Sequence, residues 1–299
     1  MAKKPKYTIS DFEQEFPNDD ACLEWLKDFL YPAGVHCPNC DRVTKHHKVK
    51  SRRSYSCQEC GHHVHPTAGT IYHKSRTPLK LWFYAIFLMS STRCGISAKQ
   101  LERELGVTYK TAWRMFKQIR SMLQENRPKL SGNVEVDETF IGGKPRGQGK
   151  NRETKPKITV VGAVERGGAI VTEIVPDTTT QSLQWFVRRR VEAGSTVNTD
   201  EHGAYFHLRR YGFRHRRIAH WDKIYVRGDV HTNTIEGFWG NFKTGMRGVY
   251  KHCGEGYLPS YLGEYEFRYS NRNSNVPMFQ LFLAQHEQQA WWTPYHERG

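Results

Sequence analysis

The sequence predicts an α/β domain, a mixed sheet flanked by helices, preceded by a small metal-held ribbon and an all-helical section. Three observations carry this: two C-x-x-C pairs near the front, helix-period apolar residues from Pro78 onward, and strand-like alternation followed by helices after Ser131-Gly132-Asn133. At roughly 100–200 residues per domain, 299 residues suffice for two or three. The expected divisions are residues 1–73 for an N-terminal helix and ribbon, 74–130 for the helical section, and 131–299 for the α/β domain.

The first helix is expected from Asp19 or Asp20 to Leu30. Leu23, Leu26, Phe29 and Leu30 follow at helical spacing behind an acidic N-cap, and Tyr31-Pro32-Ala33-Gly34 stops it. Cys37-Pro38-Asn39-Cys40 and Cys57-Gln58-Glu59-Cys60-Gly61 are then separated by 16 residues. Two such turns offer four thiolates, a closed tetrahedron, so the expected ion is one structural Zn²⁺. A redox dithiol would need no second matching pair. His36, His62, His63 and His65 lie close in sequence as substitute ligands or phosphate contacts, and read better as solvated side chains. Seven cysteines make no disulfide framework, which leaves Cys22, Cys94 and Cys253 as ordinary thiols.

Pro78 opens an apolar helix with Leu79, Trp82, Phe83 and Ile86. Residues 95–114 read as a helix-turn-helix. Ser97 caps the first helix, Leu101 and Leu105 face inward, Gly106 makes the turn, and Thr108 caps a second helix that exposes Tyr109, Lys110 and Arg114 toward DNA. Two helices packed for purely structural reasons are the alternative.

Beyond the boundary, Val134, Val136 and Phe140 alternate with Glu135, Asp137 and Thr139 as in a strand. Residues 142–157 are rich in Gly, Lys and Arg; Lys144, Arg146, Lys150 and Arg152 are expected to face phosphate or solvent. This is no ATP loop, because G-x-x-x-x-G-K would need Gly at 144, and Asn151 stands where Ser or Thr belongs. Residues 158–164 and 169–175 read as a strand pair turning at Gly167-Gly168, residues 181–191 as a helix, 196–199 as a short strand ending at Asp200, and Thr234 onward as a helix.

The chain carries a net charge of +15. Up to residue 130 there are 22 Lys+Arg and 12 Asp+Glu, and 23 and 18 thereafter, so the excess is concentrated at the front. Such a surface suits a polyanionic partner, nucleic acid before anionic membrane. The apolar uncharged stretch of residues 81–92 is too short to span a bilayer, and the basic N-terminus leads into DFEQEFPNDD without a secretory signal. A cytosolic protein is expected.

Three acids on this basic chain suggest metal-assisted phosphodiester chemistry: Asp137 within a strand, Asp200 at a strand end and Glu236 at a helix start. Carboxylates on two strands and a helix can meet at one end of a sheet and hold two divalent cations. Each acid has a structural alternative. Asp137 reads equally as a solvent-facing strand residue, with Glu138 or Glu135 the ligand instead; Asp200 reads as a turn former; Glu236, three residues after Asn233, reads as half of a capping box. Lys243 follows Glu236 by seven residues, two helical turns, and shares its helix face.

With CPNC, CQEC, VEVDETFIGGK, NTDEHGAY, HTNTIEGFWGNFK and YLGEYEFRYSNR in this order, the chain resembles the zinc-ribbon DDE transposases of bacterial insertion sequences nearly end to end. The resemblance implies an RNase H-like fold for the catalytic domain. It makes Asp137, Asp200 and Glu236 the Mg²⁺-binding triad and Lys243 its associated basic residue. It implies that water cuts the element's ends and that the freed 3′-hydroxyls attack target DNA, two Mg²⁺ ions serving both steps. The ribbon and helix-turn-helix would bind terminal inverted repeats, and the protein would work as a homodimer or larger complex on nucleoid DNA. Two other functions share these features: a DNA-binding regulator with an inactive RNase H-like domain, and a nuclease of the same fold that does not join strands.

Overall fold

The computed structural model describes residues 6–123, 129–142, 157–218, 231–251 and 253–286. The described residues up to Met122, together with those from Ser274, form one compact unit; those within Leu123–Asn273 form a second.

The first unit opens with α1 (Ile9–Glu15), a short helix beyond those expected from the sequence, closed by a capping box between Thr8 and Asp11. Helix α2 (Asp19–Leu30) has Asn18 as its N-cap rather than the expected aspartate; the amide oxygen accepts from the N–H of Asp20 and of Ala21, both at 3.0 Å. Asp19 is thereby released for a second task. Helix α3 (Leu79–Ser91) starts behind Pro78, which has no capping side chain, and Asp19 Oδ1 accepts the Lys80 N–H at 3.0 Å. Its other oxygen takes Arg53 at 3.1 Å. Helix α3 buries Leu79, Trp82, Phe83, Ala85, Ile86 and Phe87.

Between α2 and α3 run five short strands. β1 (His36–Cys37) pairs with β2 (Arg42–Val43), and β3 (His46–Lys48), β4 (Tyr55–Cys57) and β5 (His63–Val64) form an antiparallel three-stranded sheet. After α3 come α4 (Ala98–Leu105) and α5 (Tyr109–Met122). Ser97 Oγ caps α4 through the Gln100 N–H at 3.1 Å, and Gly106 ends it at φ +62°, a left-handed turn that disfavours any side chain.

The second unit is built on a five-stranded mixed sheet. β6 (Asn133–Ile141), β7 (Ile158–Glu165) and β8 (Ile170–Val175) form an antiparallel meander, while β9 (Thr196–Thr199) runs parallel to β6 and β10 (Arg214–Arg217) parallel to β9. The spatial order is β10-β9-β6-β7-β8. On one face Val134, Val136, Val161, Ala163, Val171 and Val197 pack with Leu183, Phe186 and Val187 of α6 (Thr180–Arg190). The other face carries α7 (Asn233–Gly245) over β6 and β7, and α8 (Leu258–Ser270) over β8. Glu266 of α8 accepts the Thr172 N–H at 2.7 Å, tying that helix to the sheet. The chain then returns to the first unit, where α9 (Met278–Leu283) packs on α3 and Phe279 joins the rings of Phe12, Phe16 and Phe87. No helix among the described residues is long and apolar enough to cross a membrane.

Candidate active site

Asp137 sits on β6 and Asp200 directly follows β9. These strands are parallel neighbours in register Val134↔Val197 and Glu135↔Asn198, and continuing that register by two residues sets Asp137 beside Asp200. Both are half-buried. The His202 N–H donates to Asp200 Oδ1 at 3.0 Å, which fixes the turn behind it.

Glu236 arrives from the helix above. Helix α7 comes close to the sheet because the residue opposite Asp137 on β7 is Gly162. A Cβ there would stand 2.7 Å from Trp239 Cζ2 and 3.1 Å from Ile235 Cδ1, so the missing side chain is what admits the helix. Glu236 is exposed, and its Oε1 accepts the Thr232 hydroxyl at 2.6 Å. The capping-box alternative for Glu236 is not formed. The helix starts at Asn233, which makes Glu236 its fourth residue, and the N-cap Thr232 makes no side-chain capping bond.

The start of α7 is capped from the sheet instead. Glu135, fully buried on β6, receives the N–H of Thr234 at 2.8 Å and of Ile235 at 3.2 Å on Oε2, and the Thr234 hydroxyl at 2.8 Å on Oε1. Arg166 Nε donates to the same Oε1 at 2.7 Å, and His231 Nδ1 lies 3.1 Å away. Both oxygens of Glu135 are thus spent on the helix and its charge partners. Glu138 faces the opposite side of the sheet, where the Tyr205 hydroxyl donates to it at 2.7 Å.

The electrostatics follow from this crowding. Asp137 is pushed up to about 7, first by burial and then by the negative charges of Glu138, Asp200 and Glu236. Burial also raises Glu138, against the opposing hydrogen bond from Tyr205. The carboxylate oxygens of Asp137, Asp200 and Glu236 do not all lie within 4.8 Å of one another; among the described residues the four cysteines Cys37, Cys40, Cys57 and Cys60 are the cluster that does. Lys243 occupies the last turn of α7, half-exposed.

Residues 129–270 match the ISXO2-like transposase domain, and residues 17–63 match the transposase zinc-ribbon domain. A Halobacterium salinarum protein named as an uncharacterized protein in transposable element ISH50 is 30% identical over 239 residues, which is 74% of this chain and 81% of that one. The chain belongs to the ISXO2-like transposases.

In this transposase the zinc-ribbon match spans all four cysteines. Cys37 Sγ lies 3.5 Å from Cys60 Sγ, and Cys40 Sγ 3.9 Å from Cys57 Sγ. Thr44 Oγ1 lies 3.1 Å from Cys57 Sγ, and its hydroxyl is the main cause that draws this thiol down to about 6, toward the thiolate a metal needs. Four soft donors gathered this tightly fit a closed tetrahedral Zn²⁺ site. The neighbouring histidines stand outside that set, His36 at 3.5 Å from Asp41 and His63 at 3.4 Å from Ser54.

The transposase's α4 and α5 bury Leu101 and Leu105 and leave Tyr109, Lys110 and Arg114 exposed. Lys99 lies over the Tyr109 ring at 5.6 Å and Arg114 over Trp82 at 5.9 Å. Lys144, Arg146, Lys150 and Arg152 lie outside the described residues. Sequence reasoning missed Gly162 and the task of Glu135. The signals were there: a glycine inside an apolar strand, and an acid on the same strand face as Asp137.

Proposed function

We propose that the second unit is an RNase H-like catalytic domain in which Asp137, Asp200 and Glu236 hold two Mg²⁺ ions, and that the transposase cuts its element's ends and joins them to target DNA. The observation that carries this is the placement of Asp137 and Asp200 on adjacent parallel strands beneath the helix bearing Glu236. An antiparallel meander followed by two parallel strands, in the order β10-β9-β6-β7-β8, supports the fold assignment.

The donor set fits the ion. Carboxylate oxygens are hard ligands suited to Mg²⁺, and a group of acids that pushes Asp137 up to about 7 is relieved by a dication. When bound, Mg²⁺ supplies charge compensation at the scissile phosphate and activates the attacking hydroxyl. Asp137, Asp200 and Glu236 act as ionised ligands, and Lys243, on the Glu236 face of α7, contacts the DNA backbone. Water first displaces a 3′-oxygen at each element end; the freed 3′-hydroxyl then attacks a target phosphodiester and releases its 3′-oxygen. Neither step needs a covalent enzyme intermediate.

The zinc ribbon and a helix-turn-helix made by α4 and α5 would bind the terminal inverted repeats, with Tyr109, Lys110 and Arg114 facing DNA, as would Lys144, Arg146 and Lys150. A homodimer or larger assembly would bring two ends together. Strand transfer is the discriminating experiment. With DNA carrying the ends that flank its own gene, supercoiled target and Mg²⁺, joined product is expected; cleavage with no joined product would leave a nuclease instead.

A further inference from the structure

We propose that the β10 edge of the second unit, together with the neighbouring exposed side of α6, binds the phosphate backbone of double-stranded DNA independently of sequence. This rests on the DNA-joining reading and adds a surface to it.

The charge distribution points there first. Residues 131–299 carry 23 Lys+Arg against 18 Asp+Glu, and residues 181–218 alone carry 8 against 3, so this short segment accounts for the whole surplus of the C-terminal part. It folds into α6, β9, β10 and the turns between them. Among the described residues strand β10 ends the sheet, and its Arg214, Arg216 and Arg217 are all exposed. Buried between them, His215 is pushed down to about 4, by burial first and then by Arg217 and Arg209, which reports a positive local field.

The arginines are also presented in a particular way. Arg217 lies over the Phe206 ring at 4.4 Å and Arg188 of α6 over the Tyr211 ring at 4.3 Å. Both rings are exposed, 50% and 39%. A guanidinium held over an exposed ring is supported without a carboxylate and keeps N–H groups for a phosphate, which it can take through two hydrogen bonds. Among the described residues Arg188, Arg214, Arg216 and Arg217 have no carboxylate partner, whereas Arg166, Arg189, Arg190 and Arg268 each do.

The position supplies the occupant. Arg217 is the register partner of Thr199, the residue before Asp200, so the basic strip begins beside the carboxylates and runs away from them along β10. Four strand residues cover about 10 Å, or about three base steps of duplex. Charges on an edge strand also prevent edge-to-edge pairing, but that role explains neither Arg188 on α6 nor the exposed rings beneath the guanidinium groups.

The test is duplex binding by the full chain in zinc-containing buffer without Mg²⁺ or Mn²⁺, measured by anisotropy on a random-sequence duplex across a salt series. Arg188→Ala, Arg214→Ala, Arg216→Ala and Arg217→Ala combined should flatten the slope of log K against log salt by roughly 2–4, at about 0.9 for each phosphate no longer neutralised. Affinity near 0.1 M salt should fall at least about tenfold. Arg188→Glu alone, at an exposed helix position that leaves the core intact, should lower the slope by about 1. Wild-type binding with an unchanged slope in both variants overturns the proposal and leaves the joining reading standing. Absence of duplex binding by the wild type overturns both. A variant that changes its sedimentation but not its salt slope would make β10 an edge that pairs two copies of the chain, which also overturns the proposal.

Discussion

Glu135 and Thr234 join the sheet to the helix that carries Glu236: the buried carboxylate accepts both the Thr234 N–H and its hydroxyl, each at 2.8 Å. Because Glu135 is two residues from Asp137 and Thr234 two residues from Glu236, this one link sets the spacing of two proposed metal ligands. Glu135→Ala would remove the carboxylate that takes the Arg166 Nε–H and leave the α7 start uncapped. We expect a loss of roughly 2–4 kcal/mol in denaturant unfolding of the second unit. Glu135→Gln, which keeps one acceptor oxygen, should lose less; equal stability of Glu135→Ala and wild type would contradict the capping role.

Gly162 is the second determinant of that spacing. Gly162→Ala puts a methyl where Trp239 Cζ2 already lies, 2.7 Å away, and should cost roughly 1–3 kcal/mol while lowering DNA cleavage. Trp239→Phe in the same chain relieves the clash. The double variant should therefore be less destabilised than the sum of the two singles, which a double-mutant cycle in urea measures directly.

The ribbon makes a separate prediction. Cys57→Ser removes one of the four thiols and should reduce bound zinc by about one ion per chain. Loss of metal should unfold the strands β1–β5 while the second unit keeps its own melting transition. Unchanged metal content would contradict a four-cysteine site.

His286 gives the first unit a pH dependence of definite sign. It is buried in the aromatic core, hydrogen-bonded to Tyr72, and pushed down to about 4 by burial. The unfolded chain, with an ordinary value near 6.5, binds the proton more readily than the folded one. The contribution is therefore full above pH 6.5 and is lost as pH falls toward 4, by up to about 3 kcal/mol. Unfolding of wild type and His286→Leu at pH 7 and pH 4.5 checks this: the variant should lose less stability on acidification, and an equal loss would assign the effect elsewhere.

Much of this architecture is legible in the residues, for identifiable reasons. Paired cysteines at fixed spacing announce the ribbon, Ser97 and Gly106 punctuate α4, and the apolar runs of β7 and β8 on either side of Gly167-Gly168 read directly as strands. Strand β10 is invisible because its sequence is Arg-His-Arg-Arg; it forms by pairing with β9 at the sheet edge, where charged side chains reach solvent. Helix α8 conceals Glu264 and Glu266, buried acids whose partners, Arg268 and Thr172, lie one turn along the helix and across the sheet. The side-by-side placement of Asp137 and Asp200 depends on β9 inserting parallel to β6, a pairing no local pattern encodes.

The central claim is that Asp137, Asp200 and Glu236 act together on DNA. Its most direct test is Mn²⁺-dependent cleavage of DNA carrying the flanking ends, comparing wild type with Asp137→Asn, Asp200→Asn and Glu236→Gln, with DNA binding measured in parallel. Each variant should lose cleavage by roughly a hundredfold or more while still binding DNA. Cleavage at wild-type rate in all three would show that these carboxylates are not the catalytic set.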